Sequence, residues 1–157
     1  MRFFAADEAA MEEFGLRLAQ ATGGPGVIYL CGDLGTGKTT LVRNLLRGLG
    51  FRGKVKSPTY TLIEPYPLGE LSVYHLDLYR LTSGEELEWI GIRDLMTGHE
   101  LLLVEWPELG EGALPPPDLV IAIDHRGAGR QLDLRAASER GRQWLAALSD
   151  ERRTGAG

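Results

Sequence analysis

The chain has 157 residues, a net charge of −5 from 17 basic and 22 acidic side chains, 43% hydrophobic and 25% charged residues, and one cysteine. That leaves room for one hydrophobic core and not for a second catalytic domain. The acidic balance argues against stand-alone binding of a nucleic-acid backbone unless basic residues cluster locally, and the lone Cys31 excludes an internal disulfide. Along the chain, Asp7 is placed to cap a helix over residues 8–21, with Met11, Phe14 and Leu18 on one face and Gly23-Gly24-Pro25 as its stop. A strand over 27–30 and a helix over 39–49 follow, with Cys31 as a small buried filler between them. After a polar connection, strands are expected over 60–66 and 71–78. A helix over 85–95 should break at Gly91. The run Leu101-Leu102-Leu103-Val104 has the composition of a strand buried on both faces. Pro115-Pro116-Pro117 leads stiffly into a strand over 119–123. A last strand covers 131–135, and Ser138 caps a helix ending near Leu148. The expected organisation is one domain over 1–149, with a disordered tail over 150–157. Charges interrupt the N-terminal stretch and no run approaches the ~20 apolar residues of a membrane span, so a cytoplasmic location is expected.

Between the first strand and the second helix stands Gly-Asp-Leu-Gly-Thr-Gly-Lys-Thr, residues 32–39, a complete G-x-x-x-x-G-K-[ST] loop. The apolar run before it and the helix after it are the context this motif needs. Its glycines allow a tight bend in which backbone N–H groups face inward as an anion nest, and the helix N-terminus adds positive potential. The nucleotide contacts assigned to it are Gly32, Gly35, Thr36, Gly37, Lys38, Thr39 and Thr40. Lys38 is expected to meet the β- and γ-phosphates, and the Thr39 hydroxyl to ligate magnesium. The fold class is therefore α/β, a P-loop NTPase-like three-layer sandwich with a mixed, largely parallel sheet. Closely spaced strands near 60–78 and 119–135 point to antiparallel additions.

Such a loop needs a second acid at the end of a buried strand. Three residues compete by pattern alone: Asp124, which ends one apolar run and forms D-x-x-G with Gly127; Glu105, which ends another; and Asp77. A GTPase reading of D-x-x-G lacks its guanine reader, because no N-K-x-D follows and residues 126–157 contain neither lysine nor asparagine. A small-molecule kinase remains the alternative. It would need an acceptor segment and an Arg-rich lid, for which only residues 126–130 offer a short stretch. Arg130 in that stretch is a candidate to stack on adenine.

Five motifs in order resemble the TsaE (YjeE) family: Gly-Asp-Leu-Gly-Thr-Gly-Lys-Thr-Thr-Leu-Val-Arg (32–43), Lys-Ser-Pro-Thr-Tyr-Thr-Leu (56–62), His-Leu-Asp-Leu-Tyr-Arg-Leu (75–81), Glu-Glu-Leu-Glu with Gly-Ile-Arg-Asp (85–88 and 91–94), and Val-Glu-Trp-Pro-Glu (104–108). The resemblance implies a weak ATPase subunit that works on TsaB- and TsaD-type partners in threonylcarbamoyladenosine synthesis, with tRNA met only indirectly and ATP and Mg2+ as cofactors. It also implies roles. Glu105 and Thr39 would hold the metal, and Asp77 would act near the γ-phosphate. Ser57 to Thr59 would form a phosphate-sensing loop, and Trp106 would lie beside the nucleotide. Asp124 then becomes a strand-end residue. His75 reads as structural, and Arg80 either as an ion-pair partner or as a charge stabiliser.

Overall fold

The computed structural model describes residues 1–58, 61–81 and 85–155. Its elements in chain order are β1 (Arg2–Ala5), α1 (Glu8–Thr22), β2 (Gly26–Cys31), α2 (Lys38–Gly48), β3 (Ile63–Leu68), β4 (Leu71–Asp77), α3 (Glu85–Ile90), α4 (Ile92–Leu95), β5 (Glu100–Glu105), β6 (Leu119–Arg126), β7 (Gly129–Ala136) and α5 (Glu139–Gly155), with a 3-10 turn at Pro107–Gly110. One sheet runs in the order β1-β7-β6-β2-β5-β4-β3. Its four central strands, β6, β2, β5 and β4, run parallel to one another. The outer pairings β1 with β7, β6 with β7, and β3 with β4 are antiparallel. This is the mixed, largely parallel arrangement expected from the sequence.

Helices lie on both faces of this sheet. Phe14 and Leu18 of α1, Leu41 and Leu45 of α2, and Trp144 and Leu148 of α5 pack on one face against Ile28, Leu30, Leu101, Leu103 and Ile121. Leu87 of α3 and Ile92 of α4 pack on the other against Val27, Leu76, Leu102 and Val104. All six residues of β5 are buried, because it is flanked by two strands and covered on both faces. Burying each such leucine contributes about 1.5–3 kcal/mol.

The local signals operate as expected. The Asp7 carboxylate accepts from the Ala10 N–H at 2.9 Å, and the Ser138 hydroxyl accepts from Gly141 N–H at 3.1 Å, so both caps satisfy a first-turn donor. Gly91 breaks the 85–95 helix with a left-handed backbone, φ 73° and ψ 40°, a conformation glycine adopts without Cβ strain. Three features differ from expectation. The strand expected over 60–66 runs Ile63–Leu68. Strand β1 is unanticipated: four residues that find a partner only in β7, at the far end of the chain. Helix α5 continues to Gly155 where a disordered tail from 150 was expected. The segment 149–153 has no glycine or proline, and extending a formed helix adds one hydrogen bond per ordered residue. Among the described residues, no helix is long and apolar enough to cross a membrane.

Candidate functional site

The parallel register builds the site. Leu30 of β2 stands beside Glu105 of β5, and Glu105 beside Asp77 of β4. The loop leaving β2 and the carboxylates ending β5 and β4 therefore emerge together at the C-terminal edge of the sheet. This is where open α/β sheets place their ligands. Helix α2, which opens at Lys38, covers the face to which Glu105 points.

Gly32 enters the loop with φ 147°, and a Cβ there would meet the Ile123 carbonyl oxygen at 2.5 Å and Thr36 Oγ1 at 2.8 Å. Only a residue without a side chain allows the loop to pass this close to β6. Within the loop Thr36 Oγ1 donates to the Asp33 carbonyl at 3.0 Å. Lys38 is buried. Its ammonium donates to the Gly32 carbonyl and, at 3.3 Å, to that of Asp33, so it folds back over the loop. The Trp106 ring covers it, 3.9 Å from Nζ to the ring centroid, a cation–π contact. Burial pushes the Lys38 ammonium below its ordinary range, against the pull of Glu105 and Asp77.

Thr39, the next residue, donates its hydroxyl toward both Glu105 oxygens, at 3.1 and 3.3 Å. Glu105 is only 3% exposed and also meets His75 Nε2 at 2.6 Å. Asp77 accepts from the Tyr79 N–H at 3.1 Å, and burial pushes its carboxyl above the ordinary carboxylate range, with the nearby Glu105 adding to the rise. Trp106 has a left-handed backbone, φ 58° and ψ 49°, a conformation that costs a non-glycine residue about 1–3 kcal/mol. That turn swings its ring over Lys38, where Tyr79 packs against it at 5.1 Å between centroids.

Together these groups line a cleft of about 440 Å³, bounded by Leu34, Gly35, Gly37, Lys38, Thr39, Thr40, Asp77, Tyr79, Arg80, Glu105 and Trp106. Of the residues expected at the site, Thr36 and Gly32 support the loop from behind. Arg130 also lies behind it: its Nε donates to the Thr36 carbonyl at 2.9 Å and Nη1 to the Gly129 carbonyl. Thr59 lies outside the described residues. Asp124 is exposed on β6 and pairs across the hairpin with Gln131, so its D-x-x-G is the end of β6 and the first residue of the turn into β7. Sequence reasoning left out Tyr79 and Leu34 as lining residues, and read His75 apart from Glu105. The signal for Tyr79 was its place two residues after Asp77.

A hydroxyl and a carboxylate side by side are hard oxygen donors suited to magnesium, which keeps several waters and shares its shell with phosphates. No cluster of three or more His, Cys, Asp or Glu among the described residues forms a cage that would hold a metal by protein alone. The Thr39 hydroxyl and Glu105 carboxylate are a donor pair of the kind that fits a cation bringing phosphate ligands of its own.

The family model for threonylcarbamoyl adenosine biosynthesis protein TsaE matches residues 5–132. This chain belongs to the TsaE family. A tRNA threonylcarbamoyladenosine biosynthesis protein TsaE from Haemophilus influenzae is 44% identical over 149 residues, covering 92% of this chain and 94% of the relative. Its counterpart from Bacillus subtilis is 42% identical over 112 residues, 71% of this chain and 70% of that one. The crystal structure of YdiB from Bacillus subtilis superposes with a TM-score of 0.81 at 30% identity, over 97% of this chain and 95% of that one. The matched span of the family model includes the phosphate loop, Asp77, Glu105, Trp106 and Arg130.

Proposed function

We propose that this TsaE-family chain is a slow, magnesium-dependent ATPase that serves threonylcarbamoyl modification of tRNA adenosine, acting on TsaB- and TsaD-type partner proteins and not on tRNA itself. The observation that carries the reading is the convergence of Lys38, Thr39, Glu105 and Asp77 on one cleft at the end of parallel strands. Magnesium, when bound with the nucleotide, would spread the negative charge of the phosphates. The chain's own groups do the rest. The loop N–H groups and Lys38 bind phosphate oxygens once the ammonium exchanges its two backbone carbonyls for them. Thr39 and Glu105 supply oxygens on the metal side. Asp77, made more basic by burial, orients a water and accepts its proton. Thr59 belongs to the phosphate-sensing loop, Trp106 closes the cleft over Lys38, and Arg130 fixes the loop through Thr36.

The test is steady-state ATP turnover by the purified chain with and without TsaB- and TsaD-type proteins. Turnover should be slow alone and rise on addition of the pair, because completing a site of this class accelerates phosphoryl transfer by roughly 10³–10⁵. Brisk turnover by the isolated chain, indifferent to those proteins, would favour a kinase-like enzyme acting on its own acceptor.

A further inference from the structure

We propose that His75 is a positioning residue for Glu105, holding its carboxylate through an Nε2–H hydrogen bond in the orientation that Thr39 and a divalent cation share. The inference rests on the reading of Glu105 and Thr39 as the metal-side oxygens. His75 belongs to β4, opposite Leu103 of β5, two residues before Glu105 on the same face of the sheet. From there its imidazole reaches Glu105 Oε2 at 2.6 Å, with side-chain exposures of 0% for the histidine and 3% for the glutamate.

The other ring nitrogen marks the purpose. His75 Nδ1 is a buried atom with no hydrogen-bond partner, the one such side-chain nitrogen or oxygen among the described residues. An unpaired buried polar atom costs stability, and an apolar side chain of similar size would avoid that cost. The ring is therefore not explained by packing. It supplies one bond, from Nε2, to a carboxylate that among the described residues is otherwise hydrogen-bonded by the Thr39 hydroxyl. Histidine–carboxylate partnerships behind metal sites act in this way, setting the rotation of a ligand without touching the ion. With Nε2 as donor, Nδ1 carries a lone pair and no proton.

The test compares wild type with His75→Leu and His75→Gln, using Mn2+ as the probe. Electron paramagnetic resonance gives the Mn2+ affinity in the presence of a non-hydrolysable ATP analogue, and analogue affinity in EDTA gives the metal-free reference. His75→Leu should lose roughly 10–100-fold in Mn2+ affinity, the usual effect of removing such an outer partner, with metal-free affinity little changed. His75→Gln, whose amide nitrogen can stand where Nε2 stood, should retain most of it. Equal Mn2+ affinity in wild type and His75→Leu, or equal losses in both variants, overturns the proposal. Wild type that takes up no Mn2+ with the analogue overturns the metal reading of Glu105 and this inference with it. Should His75→Leu fail to fold, nitrogen NMR of histidine-labelled wild type decides: the proton is expected on Nε2, and finding it on Nδ1 overturns the proposal.

Discussion

Glu105→Gln keeps the shape of the side chain but removes its charge and turns one acceptor into a donor. In the native site the carboxylate meets His75 Nε2 at 2.6 Å and the Thr39 hydroxyl at 3.1 and 3.3 Å. Glutamine can keep its oxygen toward His75 and offer its amide to Thr39, whose hydroxyl rotates to accept, so the fold should survive. The lost quantity is charge toward the metal side. A hydrogen bond to a charged group contributes about 1.5–3 kcal/mol against about 0.5–1.5 for a neutral one. Both Glu105 oxygens lie within 3.3 Å of Thr39, so both are available to a hydrated cation there. Two such contacts, each weakened by 1–1.5 kcal/mol, make about 2–3 kcal/mol, or roughly 30–150-fold. Calorimetric titration with a non-hydrolysable ATP analogue, once with Mg2+ and once with EDTA, isolates the metal's share of affinity as a ratio. Glu105→Gln should shrink that ratio by this factor while affinity in EDTA holds or tightens, since one negative charge beside the phosphates is gone. Asp124→Asn, on the exposed end of β6, should change neither. A full magnesium gain in Glu105→Gln, or its loss in Asp124→Asn, would refute the assignment of the acid.

ATP should outcompete GTP in displacement of a labelled nucleotide, because no N-K-x-D is available to read guanine; equal displacement would count against the ATPase reading. Asp77→Asn should stabilise the protein increasingly as pH rises. The buried native carboxyl has a raised pKa, so the stability its proton brings is complete below the unfolded value, about 3.9, and is lost as pH climbs through the folded one. Urea unfolding from pH 4 to 8 checks this, and a gap between variant and wild type that narrows with pH would contradict it. Gly32→Ala should cost about 2–5 kcal/mol, from backbone strain at φ 147° and overlap with Ile123 and Thr36. Gly35→Ala, which meets nothing within 4 Å, should cost only about 1–2 kcal/mol for its positive φ, and equal unfolding midpoints for the two variants would contradict the packing argument.

The phosphate loop, both helix caps and the break at Gly91 were legible because each depends on residues within a few positions of one another. The choice between Glu105 and Asp124 was not legible from pattern. Strands β5 and β6 both flank β2, so either acid could border the loop. What separates them is parity: Ile121 and Ile123 face the α1–α2 side and are buried, which turns Asp124 to the opposite, exposed face, whereas Glu105 points toward α2. In Leu119-Val120-Ile121-Ala122-Ile123 every residue is apolar, so no alternation reveals which side faces in. The contact of His75 with Glu105 was hidden for a related reason, since it needs the parallel pairing of β4 with β5 across the 28 positions between His75 and Leu103. Strand β1 carries only four residues, too few for a periodic signal, and its partner lies at the other end of the sequence.

The central claim is that the cleft over Lys38 holds the phosphates of ATP. It is tested most directly by titrating wild type and Lys38→Ala with ATP in Mg2+, following tryptophan fluorescence and calorimetric heat, with thermal unfolding as a control for folding. Wild type should bind with a change in emission, because the Trp106 ring loses the ammonium now 3.9 Å from its centroid. The folded Lys38→Ala protein should give neither heat nor fluorescence change. Undiminished ATP binding by Lys38→Ala would contradict the account.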